Sequence, residues 1–325
     1  MGRVESLCAS ARKGERKRPL SRATFIAGHG IEGDAHAGPW HRQVSILDAD
    51  DVDAVRRAGL PDLAPGDFAE NVVLSGVDLR ALGLGSRLRL GRDVVLSITQ
   101  IGKACHRGCK IREITGDCIM PRLGLFARVE TGGEVAAGDP AEAMSAVDRS
   151  AFQAVVLTVS DRSARGETRD TAGPAVAALL EEGLGAHVFA SEIVPDEKEM
   201  IAERLRHYSD GHSIDLVVTV GGTGFAPRDV TPEATRGVLH RLAPGLDEAM
   251  RRASSACTPH AMLSRGVSGM RGSTLIVNLP GSERAALENL RAILGALPHG
   301  LAKLRGDSSD CGRSAVSTVR EREEA

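Results

Sequence analysis

The chain has 325 residues, enough for two domains with separate cores. A formal net charge of -2 and an aromatic content of 2% argue against a dedicated nucleic-acid binder, which needs a basic face and rings for stacking. No apolar run approaches the roughly 20 residues of a membrane span, and the N-terminus lacks the apolar stretch of a signal peptide; a cytoplasmic protein with its six cysteines as thiols is expected.

From the N-terminus, short apolar or alternating runs at 4–8, 24–27, 43–47, 72–74, 87–90, 94–98 and 125–130 predict strands. Gly, Pro and Asp punctuate them in the manner of a barrel or sandwich. One helix is expected over 48–58. The segment 12–22 holds Arg12, Lys13, Arg16, Lys17, Arg18 and Arg22 against Glu15 alone. It reads as a solvated loop, or else as one that attracts an anionic ligand. Gly28 to Gly33 spells GxGxxG, but Asp34, Gly38 and Pro39 cannot open the helix that a dinucleotide site requires. His29, His36 and His41 fit no usual zinc spacing and read as loop histidines.

Cys105, Cys109 and Cys118 crowd into fourteen residues. Cys105 and Cys109, four apart, would share one face of a helix. Lys103, His106, Arg107, Lys110 and Arg112 surround them, and cationic neighbours favour the thiolate. Cys109 is the better-placed nucleophile, with Cys105 second. Segment 139–153 has no clear strand pattern and marks a boundary.

From 154 strands alternate with helices, the signature of a largely parallel α/β layer. Strands are expected at 154–159, 188–194, 216–220 and 274–278, and helices at 171–182, 197–209, after Pro232, and at 283–297. The stretch 215–234, DLVVTVGGTGFAPRDVTPEA, organises this half. A buried strand runs into Gly221-Gly222-Thr223-Gly224, then Asp229, then a helix start in which Thr231 is the expected N-cap before Pro232. Glycines let backbone N–H groups approach an anion, and a carboxylate beside phosphates suits Mg²⁺. The plainer alternative is a glycine turn with a solvated Asp. Other unusual turns follow strands at Ser160 to Asp170, at Asp196 and at Pro280-Gly281-Ser282. In open α/β sheets ligands sit beyond the carboxyl ends of strands, so these loops should converge. Asp196 would also serve as a helix N-cap. No GxxxxGK[ST] is present, which argues against a P-loop NTPase.

The second half, over 152–306, resembles the molybdopterin adenylyltransferase (MoaB/Mog) family. SDRSARGETRDTAG, VPDE, TVGGTGFAPRDVTPEATRGVL, APGLDEAMR and HAMLSRGVSGMRGSTLIVNLPGS carry the likeness. The first half, over 1–140, resembles the MOSC domain, named after the C-terminal region of molybdenum cofactor sulfurase. There the likeness rests on GIEGDAHAGPWHRQVSIL, PGDFAENV, LGSRLRLG and LFARVETGGEVAAGD.

These resemblances imply a MOSC-like β-barrel at 1–140, a linker at 141–153, a three-layer α/β domain with a mostly parallel sheet at 154–306, and a polar tail at 307–325. They imply transfer of AMP from ATP to molybdopterin with release of pyrophosphate and Mg²⁺ present, in a homo-oligomer, usually a trimer. By resemblance Asp229 and Asp196 organise Mg²⁺ or phosphate, and Gly221, Gly222, Thr223 and Gly224 cradle phosphate. Ser160, Asp170, Ser264, Arg265, Pro280, Gly281 and Ser282 line the nucleotide–pterin cleft. The MOSC half is implied to bind molybdenum cofactor or to carry sulfur on Cys109, with other molybdenum cofactor proteins as partners. The alternative function is a non-catalytic carrier of molybdopterin or molybdenum cofactor.

Overall fold

The computed structural model describes residues 2–102, 118–212 and 214–308. The chain divides into two compact units, Met1–Gln153 and Ala154–Ala325. Cys105 and Cys109 lie outside the described residues.

In the first unit the strands are β1 (Gly2–Ala9), β2 (Arg18–Leu20), β3 (Arg22–Ile26), β4 (Gly30–Ile31), β5 (Val44–Asp48), β6 (Val72–Ser75), β7 (Arg87–Leu90), β8 (Val94–Ile101), β9 (Leu125–Thr131), β10 (Gly133–Ala136) and β11 (Pro140–Ser145). Seven of them form a ring in the order β11-β7-β8-β9-β5-β6-β1, which β1 closes against β11 through Gly2↔Ala141 and Arg3↔Pro140. Val4, Leu7, Ile46, Leu74, Leu88, Leu96, Ile98 and Leu125 fill it and are fully buried. Closure leaves these strands no free edge. Among the described residues two helices belong to this unit, α1 (Ala49–Arg57) and α2 (Met120–Leu123). Asp48 caps α1 by accepting from the Asp50 N–H at 2.9 Å. Val52, Phe68, Met120 and Phe126 pack together beside the barrel wall.

Two expectations fail in this unit. The segment expected to begin a linker at 141 is β11, the strand that completes the barrel. Only Ala141 in it is buried, so its sequence carries no apolar alternation; its place is held by the backbone ladders to β7 and β1. Lys17, expected in a solvated basic loop, is buried. Its Nζ donates to both oxygens of Asp34 at 2.9 Å, and Asp34 also accepts from the Ser10 and His36 N–H groups.

In the second unit the strands are β12 (Gln153–Val159), β13 (His187–Val194), β14 (Leu216–Val220), β15 (Arg241–Leu242), β16 (Ser268–Arg271) and β17 (Thr274–Leu279). Their order is β13-β12-β14-β17-β16-β15. β12, β14 and β17 run parallel, with Thr158 opposite Val220 and Val220 opposite Leu279, so their carboxyl ends lie level. β16 and β15 add an antiparallel edge. Every residue of β14 is buried, as expected of a run that is apolar but for Thr219.

Helices α3 (Asp161–Ala164), α4 (Ala172–Leu184), α5 (Lys198–Arg206), α6 (Thr231–Arg236), α7 (Pro244–Ser255), α8 (Glu283–Leu294) and α9 (Leu297–Leu304) pack around this sheet. The helix expected over 283–297 is two, interrupted at Gly295 and restarted with Pro298 in the first turn of α9. The N-cap of α6 is Val230, not Thr231, and no side chain caps it. Asp196 does not cap α5 either; Glu197 holds that position, also without a side-chain bond.

Candidate functional site

The site is built where β12, β14 and β17 end together. After β12, Ser160 accepts from the Ser163 N–H at 3.2 Å and starts α3. The Asp161 N–H donates to Asp196 Oδ2 at 2.8 Å, while the Asp196 N–H donates to Asp161 Oδ1 at 3.1 Å. Arg228 grips both oxygens of Asp161 at 3.0 and 2.9 Å and reaches Glu197 with its Nη1 at 2.9 Å.

After β14 the chain turns through Gly221 (φ +113°) and Gly222 (φ +62°), left-handed conformations that favour glycine. Packing forbids a side chain as well: a Cβ on Gly221 would lie 2.3 Å from the Val159 carbonyl oxygen. The Gly221 N–H donates to the Leu279 carbonyl at 3.0 Å, and Gly281 comes directly against Gly221. This brings the Pro280-Gly281-Ser282 turn to the glycine loop. Ser282 is exposed at the start of α8 and makes no capping bond.

Arg265 fastens the loop. Its Nε donates to the Gly224 carbonyl at 2.7 Å, its Nη2 to the Asp229 carbonyl, and its Nη1 pairs with Glu233. The Arg265 N–H also donates to the Thr223 carbonyl at 3.0 Å. Inside the loop, Asp229 Oδ2 accepts from the Ala226 N–H at 2.8 Å. Behind it the buried Asn278 donates to Thr219 and Thr235 at 2.9 Å each and accepts from the Val267 N–H at 3.2 Å. β14, β17, α6 and the segment after Arg265 are thereby tied into one polar network, whose satisfied members make it rigid.

A cavity of about 240 Å³ opens beside the loop; Thr223, Gly224, Ser264 and Pro280 line it together with Arg251 and Asn289. Asp229, Glu233 and Arg265 line a wider opening of about 440 Å³ with the exposed Phe225. Burial pushes the Asp196 carboxyl above its ordinary value, and the charges of Asp161 and Asp229 push it further. Asp161 is shifted the other way, chiefly by the hydrogen bonds from Arg228.

The fold therefore gathers Gly221, Gly222, Thr223, Gly224, Asp229, Arg265 and Asp196 about one loop, with Pro280, Gly281 and Ser264 next to it. Asp170 already has both carboxylate oxygens hydrogen-bonded. Its Oδ2 accepts from Thr158 at 2.7 Å and its Oδ1 from the Gly173 N–H at 2.9 Å, so it secures the start of α4. Arg228 and Arg251 are site residues that the sequence reading passed over. Both stand inside quoted motifs, Arg228 directly before Asp229 and Arg251 at the end of APGLDEAMR.

Mg²⁺ takes one or two carboxylates and completes its shell with phosphate oxygens and water. Asp196 fits that requirement: Oδ2 is held by a backbone N–H, and Oδ1 lies 3.0 Å from where a Cβ on Gly222 would stand. Among the described residues no group of three or more His, Cys, Asp or Glu side chains could hold a metal by itself.

The family model for the probable molybdopterin binding domain matches residues 155–299, and that for the MOSC domain matches 33–142. The molybdopterin adenylyltransferase of Helicobacter pylori is 39% identical over 166 residues, covering 51% of this chain and 94% of the relative. The Drosophila melanogaster molybdenum cofactor synthesis protein cinnamon is 44% identical over 154 residues. That match covers 47% of this chain and only 26% of cinnamon. A crystal structure of the molybdopterin biosynthesis enzyme MoaB from Thermus thermophilus superposes with a TM-score of 0.46 at 51% identity, over 48% of this chain and 98% of that one. Through its second unit the chain belongs to the molybdopterin adenylyltransferase family, with a MOSC domain preceding it.

Proposed function

We propose that this is a molybdenum cofactor biosynthesis protein whose second unit transfers AMP from ATP to the terminal phosphate of molybdopterin and releases pyrophosphate. The supporting observation is the convergence of the glycine loop, the Asp161–Asp196 pair and the Pro280 turn at the level ends of three parallel strands. Adenylyl transfer needs two phosphates held in line and the charge on the leaving pyrophosphate offset; positioning and electrostatics supply most of the rate.

Gly221, Gly222, Thr223 and Gly224 offer backbone against phosphate. Arg265 keeps that backbone in place rather than touching substrate, because its donors are already committed to Gly224, Asp229 and Glu233. Asp196, with Asp229 beside it, would hold Mg²⁺, which when bound offsets phosphate charge. Arg228, paired with Asp161 and Glu197, is a cation able to exchange a carboxylate partner for a phosphate. The cavity beside Thr223 and Ser264 is the place for the base or the pterin. The MOSC unit binds molybdenum cofactor or carries sulfur, with Cys109 and then Cys105 as the thiol. The protein works as a homo-oligomer, a trimer by family resemblance. Exposed apolar Phe225, Leu242 and Met262 are consistent with a covered surface on the second unit.

The test is pyrophosphate release from ATP and molybdopterin by the purified chain. Mg²⁺-dependent release is expected. Tight pterin binding without release would favour the carrier.

A further inference from the structure

One buried oxygen in the site has no partner. Thr231 is 0% exposed, and its Oγ1 makes no hydrogen bond. The Thr231 N–H is used, donating to the Gly222 carbonyl at 3.1 Å. The hydroxyl occupies the space a side chain on Gly222 would need: a Cβ there would lie 2.3 Å from Thr231 Oγ1 and 3.0 Å from Asp196 Oδ1. Hydroxyl and carboxylate therefore flank the same face of Gly222. Of the two Asp196 oxygens, Oδ2 is taken by the Asp161 N–H, and Oδ1 is the one that lies against Gly222.

A buried donor left unpaired is unfavourable, and each such group in a native structure calls for an explanation. Helix formation supplies none, since Thr231 follows the N-cap and caps nothing. Packing supplies none either, because valine has the same shape without the hydroxyl. The orphan sits instead beside the carboxylate proposed to hold the cation.

We propose that Thr231 is a positioning residue for Asp196: when a divalent cation and nucleotide phosphate occupy the site, its hydroxyl donates to Asp196 Oδ1 and fixes that carboxylate toward the cation. The left-handed Gly222 between them carries no side chain to obstruct the approach. The inference rests on the reading of Asp196 as a cation ligand.

The test uses the full chain with Thr231→Val, Thr231→Ser and Asp196→Asn. Melting temperature is followed without ligand, then as Mg²⁺ is titrated at fixed ATP with no pterin present. Thr231→Val should melt at or above the wild type without ligand, because an unpaired hydroxyl has been removed. The Mg²⁺ concentration that half-saturates the ATP-dependent stabilisation should rise about tenfold. Thr231→Ser should match the wild type, and adding Thr231→Val to Asp196→Asn should shift the midpoint no further. An unchanged Mg²⁺ midpoint in Thr231→Val overturns the inference while leaving the adenylyl-transfer reading standing. So does a lower melting temperature of that variant without ligand, since the hydroxyl would then already have a partner. Absence of any Mg²⁺–ATP stabilisation in the wild type sinks both.

Discussion

Asp161 and Asp196 each accept a hydrogen bond from the other's backbone N–H, at 3.1 and 2.8 Å. The exchange joins the loop after β12 to the loop after β13 and leaves two carboxylates side by side at the mouth of the site. One is neutralised by Arg228; the other is pushed up in pKa by burial and by its neighbours. A half-buried carboxylate held in that condition favours a cation, because a cation relieves both the burial and the repulsion.

Asp196→Asn therefore separates charge from geometry. Asn still accepts from the Asp161 N–H, so the fold should hold, with a melting temperature within a few degrees of wild type. Pyrophosphate release should fall by about 10²-fold or more. Full release by the variant would reduce Asp196 to a bracket for α3.

Arg265→Lys tests the loop fastener. Guanidinium reaches two carbonyls and a carboxylate from one plane, whereas an ammonium is a single point that cannot span them. The protein should remain folded, hydrogen exchange over 221–230 should quicken, and release should drop by about 10²-fold, the usual consequence of misplacing reacting groups by about 1 Å. Faster exchange with undiminished release would detach the loop's rigidity from its function.

In the first unit the buried Lys17–Asp34 pair predicts an acid-sensitive fold. Burial alone would raise the Asp34 carboxyl, but hydrogen bonding from His36 and the Lys17 charge outweigh it and hold it well below its ordinary value. A carboxyl lowered in the folded state adds stability that is complete above its unfolded value of about 3.9 and is lost as pH falls through the folded one. Asp34→Asn leaves Lys17 buried and unpaired, at about 3–5 kcal/mol. Hydrogen-exchange protection over 2–34 should decline in the wild type below about pH 4. It should be low throughout in the variant, with this acid step missing. Equal protection in the two proteins would show that the pair does not hold the unit together.

Thiol labelling at limiting reagent near neutral pH ranks the cysteines. Burial pushes Cys8 up to about 12, and Cys118 is buried, so both should label slowly; Cys257 is exposed in the second unit. Cys109 should be the fastest thiol of the first unit, read by peptide mass. Preferential labelling of Cys118 would overturn its assignment as the reactive sulfur.

Much of this protein is legible in its residues alone. Largely apolar runs mark β12, β14 and β17, because a strand buried on both faces takes apolar residues wherever no polar partner awaits it; the buried Thr158, Thr219 and Asn278 each have one. The glycine loop is equally plain, since positive φ at Gly222 and the close approach at Gly221 suit no other residue well. Those signals are local. Tertiary structure alone decided which polar atoms are already spent. It committed Asp170 to Thr158 and α4, buried Lys17 against Asp34, and set Asp196 against Asp161 rather than on its own helix. It also made a barrel strand of Pro140–Ser145, whose only warrant is two neighbouring backbones far away in sequence. Hydrogen-bond partners and ring closure depend on strand order, and periodicity along the chain records burial but not which strands become neighbours.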